Sequence, residues 1–237
     1  MPPTSLTVRT VGTLAPGGLT IVLLHGFGAP GDDLVDLGRY MEAPPGSRFV
    51  FPAAPIEMGG LYGDSRAWWM IDQRSFERGA QDRSEEVPEG IDSARQLVTA
   101  VLEKLVAEGA GPIVLGGFSQ GAMLSLDTAL HLEGKLAAHL AGLVLMSGTP
   151  INGPAWTPRM AKVKDLPILV SHGRRDPLLS FTAAQALADR LRAAGAHVDW
   201  VEFDGGHEIP PPVLAGAIRV LRDASDRAKR QSSSSEL

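Results

Sequence analysis

The stretch Pro112–Leu130, PIVLGGFSQGAMLSLDTAL, decides how the rest of the chain is read. It starts as a short apolar run, Ile113-Val114-Leu115, of the kind that forms a strand buried on both faces. It passes through Gly116-Gly117-Phe118-Ser119-Gln120-Gly121 and continues as an amphipathic segment. A serine among close-set glycines at a strand-to-helix junction has two readings. Either the glycines only make a tight turn, with Ser119 capping the helix, or they hold Ser119 up as a nucleophile. A nucleophile elbow needs small neighbours, because the serine backbone is strained and the adjoining elements pack close.

Outward from this stretch the same rhythm repeats. Leu19–Leu24, Arg48–Phe51, Pro112–Gly116, Ala141–Gly148, Pro167–Gly173 and His197–Phe203 read as strands, mostly continuous apolar runs ended by Gly or Pro. Helical patterns lie between them, at Asp32–Tyr40, Pro88–Glu108, Ser119–Leu132, Thr182–Ala194 and Pro211–Ala224. Strand alternating with helix predicts one α/β domain over residues 1–225, a mostly parallel sheet with helices on both faces. The polar, serine-rich residues 226–237 are expected to form a disordered tail.

Bulk properties exclude several classes. A chain of 237 residues can bury a sizeable core, and its 44% hydrophobic and 21% charged content is ordinary for a globular protein. A net charge of -5 gives no reason to expect nucleic acid. The absence of cysteine removes disulfide scaffolds, thiolate metal sites and cysteine nucleophiles together. The opening MPPTSLTVRTVG lacks a signal-peptide pattern, and no apolar run reaches membrane-spanning length, so a cytoplasmic protein without stable membrane insertion is expected.

Chemistry must then be found in the loops after strands. Ser119 needs a base, and the base an acid to hold its tautomer. In an α/β-hydrolase the chain order is serine, acid, histidine. Asp176 follows the strand Pro167–Gly173, and His207 follows His197–Phe203 with Gly205 and Gly206 before it. Asp204 is a rival acid, but only three residues separate it from His207. His172 and His197 belong to strands and read as structural; His131 and His139 flank a helix end and read as surface residues. His25 sits in the loop after the first strong strand, where support of the backbone is its expected role. Acyl transfer also needs two backbone N–H groups aimed at the developing oxyanion, positions that Phe27 and Gln120 occupy.

Two glycine patterns are set aside. G-x-x-x-x-G-K-[ST] has no match. Gly26–Gly31 fits G-x-G-x-x-G literally, but the next strand ends FVFPAAP, without the acid that a dinucleotide ribose requires.

At these residues the chain resembles the acyl-protein thioesterase and carboxylesterase family of α/β-hydrolases. The motifs that carry the likeness are LLHGFG (Leu23–Gly28), GFSQGA (Gly117–Ala122), SHGRRDPLL (Ser171–Leu179) and GGHEIP (Gly205–Pro210), with AWWMID (Ala67–Asp72) weaker. The resemblance implies that Ser119, Asp176 and His207 form the triad and that Phe27 and Gln120 supply the oxyanion hole. It also implies action on carboxylic esters or thioesters without a cofactor. The chain departs from the family where Ala29-Pro30 follows the second glycine and delays the acids to Asp32 and Asp33. It also carries Trp68-Trp69-Met70-Ile71-Asp72 in place of a single tryptophan, and Arg174-Arg175 beside the acid loop, read as a solvated rim.

Only Thr149–Asp165 intervenes where a lid would be inserted, too little for a large lid domain, so the site is expected to be open. The long segment Pro52–Val87, with Tyr62, Trp68, Trp69, Met70 and Phe76, must cover it. Trp68, Trp69, Met123, Leu178 and Leu179 are expected to line an acyl groove, although one tryptophan is expected only to pin the loop. The expected partner is a small-molecule or acylated substrate. The alternatives are a lysophospholipase and a non-catalytic binding protein on the same fold; a metalloenzyme lacks any H-E-x-x-H spacing.

Overall fold

The computed structural model describes residues 5–59, 63–72 and 80–235. Tyr62 and Phe76 of the covering segment lie outside the described residues.

The apolar runs become strands because each has a helix-covered face on both sides. β2 (Thr20–Leu24), β6 (Ile113–Phe118), β7 (Leu140–Met146) and β8 (Pro167–Gly173) are buried almost throughout. With β1 (Val8–Val11), β3 (Arg48–Pro52) and β9 (His197–Phe203) they form a seven-stranded sheet in the order β1-β3-β2-β6-β7-β8-β9. β1 is antiparallel to β3, and every other pair is parallel. A two-stranded hairpin, β4 (Ile56–Glu57) with β5 (Arg66–Ala67), lies within the covering segment.

Alternate residues of each strand go to opposite core layers, as the two-residue period requires. Val22 and Leu24, Ile113 and Leu115, Leu143 and Leu145, and Ile168 and Val170 face one layer, filled by α2 (Ile91–Ala107), α3 (Gln120–His131) and α6 (Phe181–Ala193). Ile21, Leu23, Val114, Val144 and Leu169 face the other, filled chiefly by Val213, Ala217, Val220 and Leu221 of α7 (Pro211–Ser235), with Leu34 and Met41 flanking α1 (Leu37–Tyr40). The stretch Thr149–Asp165 folds as α5 (Gly153–Trp156) and a 3₁₀ helix, Thr157–Val163, with Trp156 buried in the first layer. No lid domain is inserted there. A short α4 (Gly134–His139) leads into β7.

Two helices differ from expectation. Asp32–Asp36 form successive i→i+3 turns, Asp33 N–H to Pro30 O and Val35 N–H to Asp32 O, and only Leu37–Tyr40 is α-helical. The last helix, expected to stop at Ala224, continues to Ser235, across the boundary drawn at residue 226. Its buried apolar positions end at Ala224, so periodicity is blind to the continuation, where Lys229 pairs with Asp226 at 3.6 Å.

Candidate active site

The site is built where β2, β6, β8 and β9 end. At the end of β6 the chain turns into α3 through Ser119, whose φ of 54° and ψ of -118° are strained for a residue with a Cβ. The flanking glycines are required by close approach. A Cβ on Gly117 would stand 2.3 Å from Leu24 O, and one on Gly121 2.0 Å from the same oxygen. The turn is pinned by Ser119 N–H donating to Met146 O at 2.8 Å. The helix-capping reading loses its main support, because the Ser119 side chain makes no cap hydrogen bond.

Asp176 lies just past β8 and is 8% exposed. Its Oδ1 accepts from the N–H groups of Leu178 at 2.8 Å and Leu179 at 3.0 Å. His207 Nδ1–H donates to Oδ2 at 2.7 Å. Burial pushes this carboxyl up, but hydrogen bonds from His172 and His207 outweigh it and hold Asp176 well below the usual carboxylate range. The rival Asp204 is instead engaged by Arg175 at 3.1 Å. Arg174 pairs with Glu202 and lies over the Phe181 ring, so both arginines of the departure from the family pattern are exposed and partnered. Phe118 packs on the His207 ring, centroids 4.7 Å apart.

Ser119 and His207 line one cavity of about 270 Å³ with Phe27 and Gln120. Its remaining wall includes Ile71, Met123, Leu178, Leu179 and Asp33. Of the two delayed acids, Asp32 is thus spent on Arg9 at 3.0 Å, while Asp33 reaches the cavity. A second cavity of about 270 Å³ shares Ile71, Met123, Leu178 and Leu179 and adds Trp69, Val87, Pro88 and Ile151. Larger hollows, of about 310 and 520 Å³, lie beside Arg66 and Arg48, and neither is lined by Ser119, Asp176 or His207.

The expected groove needs one correction. Trp68 is 1% exposed and lines neither cavity. Its indole N–H donates to His25 O at 2.9 Å and its backbone N–H to Gln120 Oε1 at 3.0 Å, so it pins the covering segment to the elbow. Gln120 completes the clamp by donating from Nε2 to Trp69 O at 2.9 Å. His25 supports the adjoining loop: its Nδ1–H donates to Gly26 O at 2.8 Å, and its Nε2 accepts from Ala54 N–H at 2.9 Å. Ile71, Val87 and Ile151 were not singled out in the sequence, because nothing in their spacing ties them to the serine.

His172, read from sequence as structural, is fully buried, and its Nε2 lies 3.3 Å from Asp176 Oδ2. Among the described residues no group of three or more His, Cys, Asp or Glu is arranged to hold a metal ion. Nor is any helix among them long and apolar enough to cross a membrane.

A mostly parallel sheet whose strand ends deliver these loops to one cavity is the architecture of an α/β-hydrolase. Comparison with known proteins narrows the class. Residues 13–224 match the phospholipase/carboxylesterase family, and the chain belongs to it. It is 27% identical over 234 residues to acyl-protein thioesterase 1 of Eremothecium gossypii, covering 94% of both chains. It is 31% identical over 183 residues to acyl-protein thioesterase 1 of Kluyveromyces lactis, covering 73% of this chain and 75% of that one. Carboxylesterase SOBER1 of Arabidopsis thaliana is 27% identical over 196 residues, covering 80% of this chain and 83% of that one. Among solved structures, esterase PE8 superposes with a TM-score of 0.78 at 27% identity, over 93% of this chain and 100% of its own. This chain, like its family, is a hydrolase.

Proposed function

We propose that the protein is a serine hydrolase that cleaves carboxylic esters or thioesters through an acyl-enzyme on Ser119. The observation that carries this reading is the His207–Asp176 hydrogen bond of 2.7 Å, made by a histidine that shares one cavity wall with a strained Ser119. With Nδ1–H committed to the carboxylate, His207 presents Nε2 as the base. It takes the Ser119 proton as Oγ attacks the acyl carbon, and Asp176 steadies the imidazolium without itself taking the proton. The backbone N–H groups of Phe27 and Gln120 hold the oxyanion. His207 then protonates the departing alcohol or thiol, and water repeats the sequence on the acyl-enzyme. The acyl chain runs from Ser119 past Met123, Leu178 and Leu179 into the second cavity beside Trp69; the shared walls of the two cavities support this path. The names of the relatives, acyl-protein thioesterase and carboxylesterase, support thioesters beside oxygen esters as candidate substrates.

The test is turnover of nitrophenyl esters, acyl-thioesters and lysophospholipids of graded chain length by wild type and Ser119→Ala. The substitution is expected to lower kcat by about 10⁴-fold or more. Equal turnover by both proteins would end the serine reading, and activity lost to a chelator would favour metal chemistry.

A further inference from the structure

The Asp176 carboxylate has four acceptor positions, and four donors surround it. Two are the backbone N–H groups on Oδ1, and the third is His207 on Oδ2. The fourth is a second imidazole, that of His172, which the acyl-transfer steps do not use.

The partners of His172 define its tautomer. Nε2 donates to Leu179 O at 3.1 Å and lies 3.3 Å from Asp176 Oδ2, so it carries the proton. Nδ1 is buried with no hydrogen-bond partner among the described residues, so the ring gains no bond from the opposite tautomer. A buried imidazole atom left unpaired is costly, and its retention here needs a compensating contact. The carboxylate supplies it. The ring cannot turn away, because it sits near the end of β8 at 0% exposure with its edge against Phe181, centroids 6.3 Å apart at 67°.

We propose that His172 is a positioning residue for the hydrolysis, a second imidazole donor that locks the Asp176 carboxylate in the orientation from which it holds His207. The bond works in two ways. It opposes rotation of the carboxylate about its Cβ–Cγ bond, which would pull Oδ2 from His207 Nδ1. It also occupies charge on Oδ2, so that the proton taken from Ser119 stays on His207. The low protonation range of Asp176, to which the His172 bond contributes, is in keeping with the second effect.

The proposal rests on the triad reading, and the experiment separates the two. Steady-state kinetics on a short nitrophenyl ester would compare wild type, Asp176→Ala, His172→Leu and His172→Gln, with thermal unfolding of each. An N–H held 3.3 Å from Oδ2 predicts that His172→Leu lowers kcat roughly tenfold with KM little changed, and that Gln, which restores a donor, recovers most of it. Wild-type kcat in His172→Leu beside an inactive Asp176→Ala overturns the proposal alone; an active Asp176→Ala overturns the triad reading. Gln as impaired as Leu, with equal loss of Tm, would mean that His172 only fills space. ¹⁵N-histidine NMR of the wild type needs no variant: a proton on His172 Nε2 supports the proposal, and one on Nδ1 overturns it.

Discussion

A buried histidine that accepts from one side and donates to the other is held in a single protonation state by its neighbours, and His25 is such a residue. Nδ1–H donates to Gly26 O while Nε2 accepts from Ala54 N–H, so a second proton would destroy the Ala54 bond. Burial lowers its pKa from the ordinary 6.5, a Gly26 backbone bond opposes this, and nearby Arg66 adds to it. The sign for stability follows. Below about pH 6.5 the unfolded chain binds a proton on this ring that the folded chain refuses, so stability falls as pH drops through that range. Urea unfolding between pH 7.5 and 5.5 should show a steeper loss for wild type than for His25→Asn, and parallel slopes would refute the assignment. Asp176 acts lower down: its folded pKa is depressed, so its contribution is present above its ordinary range near 3.8 and is lost on further acidification. At this scale the sequence named Ser119, Asp176, His207 and His25 because each sits just past an apolar run. It did not reveal the second use of His172 or the clamp made by the Gln120 side chain, because those depend on where a distant loop returns.

The helix that follows Ser119 carries a charge into the core. Every residue of α3 from Gln120 to Leu130 is buried, including Asp127 at 0% exposure. Asp127 accepts from Arg95 of α2 at 2.7 Å, Trp156 Nε1 at 2.7 Å and Asn152 Nδ2 at 3.1 Å. One carboxylate thus ties three elements around the elbow. Taking it away strands its donors, so Asp127→Ala should cost about 3–5 kcal/mol, read from denaturant midpoints. A loss below 1 kcal/mol would show that the donors find water instead. The elements legible in the sequence were those with an apolar run or a clear helical periodicity: β2, β3, β6, β7, β8, β9 and the helices α2, α3, α6 and α7. The elements not anticipated are short or exposed: β1, with an exposed Val-Arg-Thr and a half-buried Val11, the two-residue strands β4 and β5, and α4 and α5. A pattern of burial cannot announce an element that buries little.

At the scale of the whole molecule, parallel strand order decides which loops meet. β2 and β6 are neighbours, so Phe27 and Ser119 come together; β8 and β9 are neighbours, so Asp176 meets His207. The same edge receives the covering segment, whose two tryptophans part company there. Trp68 turns inward to His25 and the elbow, while Trp69 turns to the second cavity with Val87 and Ile151. The order of β2, β6, β8 and β9 ends was readable from the motifs, but the wall that two cavities share through Ile71, Met123, Leu178 and Leu179 required the folded loop. This division gives the two tryptophans opposite signatures. Trp68→Ala opens a core void and leaves His25 O without its donor, so it should cost about 3–5 kcal/mol while leaving the ratio of long-chain to short-chain kcat/KM near that of wild type. Trp69→Ala should move that ratio, because it reshapes the second cavity, into which the proposed acyl path leads. Measuring kcat/KM against chain length for both variants, beside their unfolding midpoints, distinguishes pinning from lining. A chain-length shift confined to Trp68→Ala would reverse the roles assigned to the pair and send the acyl chain along a different path from Ser119.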